Sequence, residues 1–279
     1  MARQDTLSIL TSGTTKDKLA ELDGQLIESV QKDALSAKLK NVNYSGDPTT
    51  GSVEINRFKN AESADYGTAR GAGKGTALKN TGKVTVNINV DKEIVEEIAG
   101  KDLALYGIAG LADRRTANHS KRVAAALDRA FFAEAESAGT EVTTLETDVE
   151  KVVEAAIQAV ESTQNDWVDG VDRSDIALCL SPAVFGKLRT YIDKVQDGGA
   201  QGEEINLFHG VEVYSNVRQT KGVIAMYKGA IAQPVLINEY AAEKIGLSND
   251  FAIELFYSYG TKAVMADLIK YIDFGSVSA

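Results

Sequence analysis

The 279-residue chain contains one cysteine, two histidines, three prolines and one tryptophan. Each scarcity closes a class of explanation. Cys179 is the single cysteine, so no internal disulfide framework can form, and a lone thiol fits a reducing compartment. His119 lies in a helical stretch and His209 beside Gly210 at a turn; neither has metal-ligand spacing, and both read as structural or surface residues. The prolines are Pro48, Pro182 and Pro234, so nothing interrupts long helices and strands between residues 49 and 181. No apolar run approaches a membrane span. The start Met1-Ala2-Arg3-Gln4-Asp5 lacks the apolar core of a secretory signal. The expectation is a chain made and folded in the cytoplasm, with no membrane partner. Positive charge is short as well: 30 Lys and Arg against 40 Asp and Glu, net −10. A dedicated nucleic-acid binder needs a basic surface, which leaves only weak, local contact with nucleic acid open.

Catalytic motifs are missing too. The segment GTARGAGKGT has five residues between Gly67 and Gly73 and a glycine after Lys74, and a strand pattern follows it. A phosphate-binding loop needs four residues, then Gly-Lys-Ser/Thr entering a helix. There is no Gly-x-Ser-x-Gly elbow. Glu96/Glu97 and Glu203/Glu204 are sequence neighbours and read as solvated rather than as paired catalytic carboxylates. Cys179 sits in an apolar run and reads as a small buried hydrophobe. Trp167 and the late tyrosines read as packing residues, because no basic cluster interleaves with them. The expectation is no catalysis, no cofactor and no metal.

What is present is a ribbon. Between Gly67 and Lys83 lie five glycines and Arg70, Lys74, Lys79 and Lys83, without an acid. Then Val84, Val86, Ile88 and Val90 alternate with polar residues, the pattern of a strand with one buried face. Upstream, Val53 and Ile55 share one face of a shorter partner over Gly51–Phe58. The two predict arms of one long hairpin with a polar tip. Two strands alone are marginal in water, so support is expected from another copy of the chain.

Around the ribbon, Leu19, Leu22, Leu26, Val30 and Ala34 predict an amphipathic helix over Lys16–Lys40. Asp91–Glu97 reads as a short helix. Asp102–Ala138 reads as one long helix stopped by Gly139, with Val123, Leu127 and Phe131 on its buried face. Thr147 and Glu150 fit a capping box ahead of the stripe Val149, Val152, Val153, Ala156, Ile157 and Val160. Ile176–Leu180 is apolar throughout, as in a strand buried on both faces. Ser181 and Pro182 supply an N-cap and first-turn proline for a helix reaching Val195. Asp197, Gly198, Gly199 and Gln201 belong to a flexible loop tip. Later strands are expected at Val211–Val217, Val223–Ala232, Val235–Asn238, Phe251–Tyr257 and Lys262–Tyr271. Charge is segregated: Glu141–Asp175 carries ten acids and two bases, whereas the hairpin tip is +4. Such patches are either solvated surface or the complementary halves of a self-contact.

In this order, the long helix ending LDRAFFAEAESAG, the segment LSPAVFGKL and the closing FAIELFYSYGTKAVMADLIKYID resemble the major capsid proteins of tailed bacteriophages. The resemblance covers nearly the whole chain. It implies an α+β, HK97-like fold with an N-terminal arm (1–42) and an extended hairpin, or E-loop (43–90). It further implies a peripheral domain with a spine helix (91–144 and 235–279) and an axial domain (145–234). The function implied is an icosahedral shell of hexamers and pentamers enclosing double-stranded DNA, located in the virion and assembled in the host cytoplasm. Arg57, Lys59, Arg70, Lys74, Lys79 and Lys83 would then contact a neighbouring copy. The loop at Asp197–Gln201 would meet its equivalents at a symmetry axis, and Val123, Leu127 and Phe131 would form the spine-helix core. An arm of about 40 residues is short for an internal scaffolding region, so scaffolding, portal and decoration proteins would be separate chains. An encapsulin-type compartment around a cargo enzyme, another self-assembling surface or filament protein, and a soluble α/β enzyme with acidic catalysis remain alternatives.

Overall fold

The computed structural model describes residues 24–61, 63–73, 75, 80–99, 108–195, 206–238, 241–246, 248 and 250–275. An arm helix over 24–33 is followed by a short helix, Leu35–Leu39. Leu26, Val30 and Ala34 are buried at the predicted spacing; Leu19 and Leu22 lie outside the described residues. β1 (Ser52–Phe58), a five-residue tip helix (Thr68–Ala72) and β2 (Asn80–Asn87) make the hairpin. Its arms are antiparallel, with Val53 opposite Val86 and Ile55 opposite Val84. β3 (Val90–Ile98) precedes the long helix, Ile108–Ala138. β4 (Thr140–Glu141) leads to a second helix, Val149–Glu161. β5 (Gln164–Asn165) and β6 (Val168–Asp169) form a small hairpin, and β7 (Ile176–Leu180) leads into a third helix, Pro182–Val195. Strands dominate the rest: β8 (Leu207–Phe208), β9 (Val211–Ser215), β10 (Val223–Tyr227), β11 (Ile231–Ala232) and β12 (Val235–Ile237). The last are β13 (Ala241–Lys244), β14 (Phe251–Tyr259), β15 (Lys262–Ala263) and β16 (Ile269–Ile272).

Several expectations need correction. The run through Val90 is not one strand, since β2 stops at Asn87 and β3 starts at Val90. Asp91–Glu97 is not a helix. It lies in β3, which pairs with β14 over nine residues, Val90 opposite Tyr259 to Ile98 opposite Phe251. Val90, Ile94 and Ile98 are four apart, a spacing that satisfies both a helix face and one side of a strand, and the long partner decides between them. The second helix takes Asp148 as its N-cap, without a side-chain capping bond; the Asp148 carboxylate is held by Lys151 at 2.9 Å. The third helix starts at Pro182, but the buried Ser181 hydroxyl has no hydrogen-bond partner. The Ser181 carbonyl takes the Phe185 N–H instead, at 2.9 Å. The Val223–Ala232 segment breaks at Gly229 (φ 94), and a 3-10 turn at Ala266–Leu268 interrupts the last strand.

Two compact units divide the chain. One draws on Met1–Lys38, Ile88–Ala130 and Gln233–Gly260. Its sheet sets β14 between β12 and β13 on one edge and β3 on the other. The core joins Leu26, Val30, Val123 and Leu127 to the alternating Ile253, Leu255 and Tyr257.

The other unit draws on Leu39–Asn87, Phe131–Ala232 and Thr261–Ala279. Its six-stranded sheet has the order β4-β16-β10-β7-β9-β8. All five residues of β7 are buried, as their continuous apolar character requires. The second helix lays its whole predicted stripe on this core. The closing strand β16 pairs with β10 here, so residues 261–275 group with the segment assigned to the axial domain. The hairpin also belongs to this unit. Val53, Ile55 and Val86 pack with Ala232 and Val264, so the ribbon is supported by its own chain, where support from another copy was expected.

Gly139 ends the long helix for a steric reason. A Cβ there would stand 2.5 Å from the Ala135 carbonyl and 2.9 Å from Ile269 Cγ2.

Candidate functional site: the hairpin neck and its charges

At the neck, where β1 and β2 stop pairing, three segments converge. The Arg57 guanidinium makes two parallel bonds to Asp267, at 2.7 and 2.8 Å. Asn165 donates to the same carboxylate at 2.6 Å. Burial pushes the Asp267 carboxyl up, but the bonds from Arg57 and Asn165 outweigh it and hold the group below its usual range. Arg57 also lies 5.0 Å above the Trp167 ring, and Lys59 lies 5.5 Å from it. Lys59 pairs with Asp166, whose carbonyl accepts the Asn60 N–H at 2.9 Å. The β5–β6 turn is shaped for this by the Asn165 Oδ1, which accepts the N–H groups of Trp167 and Val168. The reading of Trp167 as free of basic neighbours is therefore overturned. The interleaving is tertiary, between residues more than a hundred positions apart.

Of the six hairpin cations, Arg57 and Lys59 thus have carboxylate partners within the chain. Lys83 has one too, Glu54 across the ribbon at 2.7 Å. Arg70 differs: its guanidinium stacks 5.2 Å over Tyr66, itself 91% exposed. Lys74 and Lys79 lie outside the described residues, as do Asp197, Gly198, Gly199 and Gln201. Val123, Leu127 and Phe131 are buried.

Sequence reasoning missed how the long helix uses its acids. Asp128 accepts from the Ser36 N–H at 2.8 Å, Glu134 from Ala263 at 2.9 Å, and Glu136 from Thr220 and Lys221 at 2.6 and 3.0 Å. Three carboxylates of one motif each tie a different backbone segment to the helix. Glu96 was also misread as solvated. A strand sends it and Glu97 to opposite faces, and Glu96 meets Arg115, with His119 Nε2 at 3.0 Å. Burial raises the Glu96 carboxyl, but these partners hold it below its usual value. Glu154, bonded first by Arg173 and then by His209, is held down to about 2. Among the described residues no group of acids, histidines or cysteines could hold a metal ion, and no helix is long and apolar enough to cross a membrane.

No protein-family model and no curated relative matches the sequence. Solved structures do. The capsid of cyanophage P-SCSP1u matches with a TM-score of 0.63 at 14% identity, over 88% of this chain and 89% of that one. The HK97-like capsid fold is present. A structure from Mycobacterium phage Che8 gives a TM-score of 0.57 at 17% identity, over 80% of this chain and 84% of that one. The virus-like particle from Pyrococcus furiosus gives 0.59 at 12% identity, over 91% and 98%. At these identities the likeness is one of fold. The share of the chain that matches is large enough to draw on both compact units.

Proposed function

We propose that the chain is a major capsid protein that assembles into an icosahedral shell around phage double-stranded DNA. The observation that carries this reading is the extent of the capsid fold: the match takes in 88% of this chain and 89% of a cyanophage capsid chain. In this reading the hairpin is the E-loop and the long helix the spine. The unit built on β14 is the peripheral domain, and the six-stranded sheet is the core of the axial domain. Asp197, Gly198, Gly199 and Gln201, which lie outside the described residues, would meet their equivalents at a symmetry axis. The protein is structural and has no active site. Its main partner is itself, in hexamers and pentamers, with separate scaffolding, portal and decoration proteins, and DNA held by weak non-specific contact because the chain is acidic. It resides in the virion and assembles in the host cytoplasm.

A second reading is a protein compartment around a cargo enzyme. The match to 98% of the chain of the Pyrococcus furiosus virus-like particle supports a closed shell, which both readings share. Electron microscopy of the purified chain tests the shared claim, with closed shells or hexamer rings expected. Particles from the cells that naturally produce them separate the readings. Nuclease-protected double-stranded DNA supports the phage capsid, and a stoichiometric co-purified enzyme supports the compartment.

A further inference from the structure

We propose that the hairpin neck carries a socket for the hairpin tip of a second copy of this chain; the proposal rests on the shell reading above. Beside the Arg57–Asp267 pair lies a cavity of about 800 Å³. Its wall includes Phe58, which is 49% exposed, and Trp167, whose indole N–H is buried without a hydrogen-bond partner. Its rim carries Asp169, Asp172 and Asp175, all exposed. None of these three carboxylates has an ion-pair partner among the described residues. The other charges of the wall are committed, Arg57 to Asp267 and Glu161 to Arg173. The cavity therefore offers aromatic surface beneath uncompensated negative charge. Its complement is a cation carried on an aromatic or apolar body.

The tip helix presents that combination. Tyr66 and Arg70 stack on each other in the open, and Arg70 has no carboxylate partner among the described residues. Neither residue lines the chain's own cavity. No acid lies between Gly67 and Lys83. Tyrosine and arginine are the residue types that dominate protein contacts when they enter a desolvated pocket. The cavity is of a size that takes a few side chains. Plug and socket sit at different places on one chain, so the contact is heterologous, and repeated contacts of that kind close into rings.

The test uses the full chain and two charge reversals, Arg70→Glu and the pair Asp172→Arg with Asp175→Arg. Circular-dichroism melts check that each variant folds. Each reversal alone is expected to lower the assembled fraction by about tenfold, and both in one chain to restore it to within about threefold of wild type. Carbodiimide treatment of wild-type assemblies should join lysines of residues 74–83 to Asp169, Asp172 or Asp175 of another copy, read by mass spectrometry. This arm does not depend on any variant folding. Normal assembly of both reversals, absence of mutual restoration, or rim cross-links that lead only to residues 1–23 or to another protein would each overturn the socket and leave the shell reading standing. A wild-type chain that stays monomeric at every concentration and salt overturns both.

Discussion

The buried Asp128 of the long helix accepts a 2.8 Å hydrogen bond from the backbone N–H of Ser36. The bond ties the short helix Leu35–Leu39 to the long one. Asp128→Ala leaves a buried donor unpaired, which costs about 1–3 kcal/mol. Asp128→Asn keeps an acceptor and should lose less. Urea midpoints for the two variants check the order; equal losses would assign the effect to charge rather than to the bond.

Val123 and Leu127 are 0% and 3% exposed in the core beside β14, and Phe131 is 0% exposed. Leu127→Ala and Phe131→Ala should each cost about 2–5 kcal/mol. Arg129, two positions from each of the latter, is exposed, and Arg129→Ala should change stability by less than about 0.5 kcal/mol. Thermal melts of the three variants make the comparison.

Two glycines should respond with opposite sign. Gly139→Ala forces a Cβ against the Ala135 carbonyl and should destabilise by about 1–3 kcal/mol. Gly186 lies within the third helix with open space around its Cβ position. Gly186→Ala should stabilise by about 0.5–1 kcal/mol. Paired denaturation curves decide; stabilisation by the first substitution would refute the steric account of the helix stop.

Arg57 and Asp267 form a bidentate pair with side chains only 12% and 28% exposed. Arg57→Lys cannot reproduce the fork and should destabilise nearly as much as Arg57→Ala, by about 1–3 kcal/mol. Trp167 fluorescence reports the site directly, since the guanidinium lies over its ring. An unchanged emission spectrum in Arg57→Ala would show that the stack does not persist in solution.

Glu154 gives an acid signature. Its carboxyl titrates at about 2 in the fold against an ordinary value of 4.5. The native state therefore favours the charged form. The contribution is complete above pH 4.5 and disappears as the pH falls through about 2. The difference in stability between wild type and Glu154→Gln should shrink over that window. A difference that stays constant from neutral pH to pH 2 would detach Glu154 from the Arg173 pairing.

Elements set by their own periodicity were legible in the sequence. The stripe Val149 to Val160 and the strand Ile176–Leu180 lie where their patterns put them. The arms of the hairpin also paired as read. β3 was not legible, because its four-residue spacing fits two structures and its partner lies some 160 residues away. The neck was not legible for a similar reason: Arg57, Asn165, Trp167 and Asp267 carry no local pattern that announces their meeting. Asp128, Glu134 and Glu136 were visible as letters of a motif, but their backbone partners exist only in the fold.

The hydrophobic anchoring of the ribbon has a kinetic consequence. Fixing a residue's backbone costs about 1–2 kcal/mol, and for β1 and β2 that cost is met when the subunit folds. Preorganised arms leave less ordering to be done at association, so in the proposed shell individually weak contacts would suffice to hold neighbours. Weak contacts break often. A subunit that docks in the wrong place can therefore leave before others trap it, and an assembly built from such subunits corrects its errors as it grows.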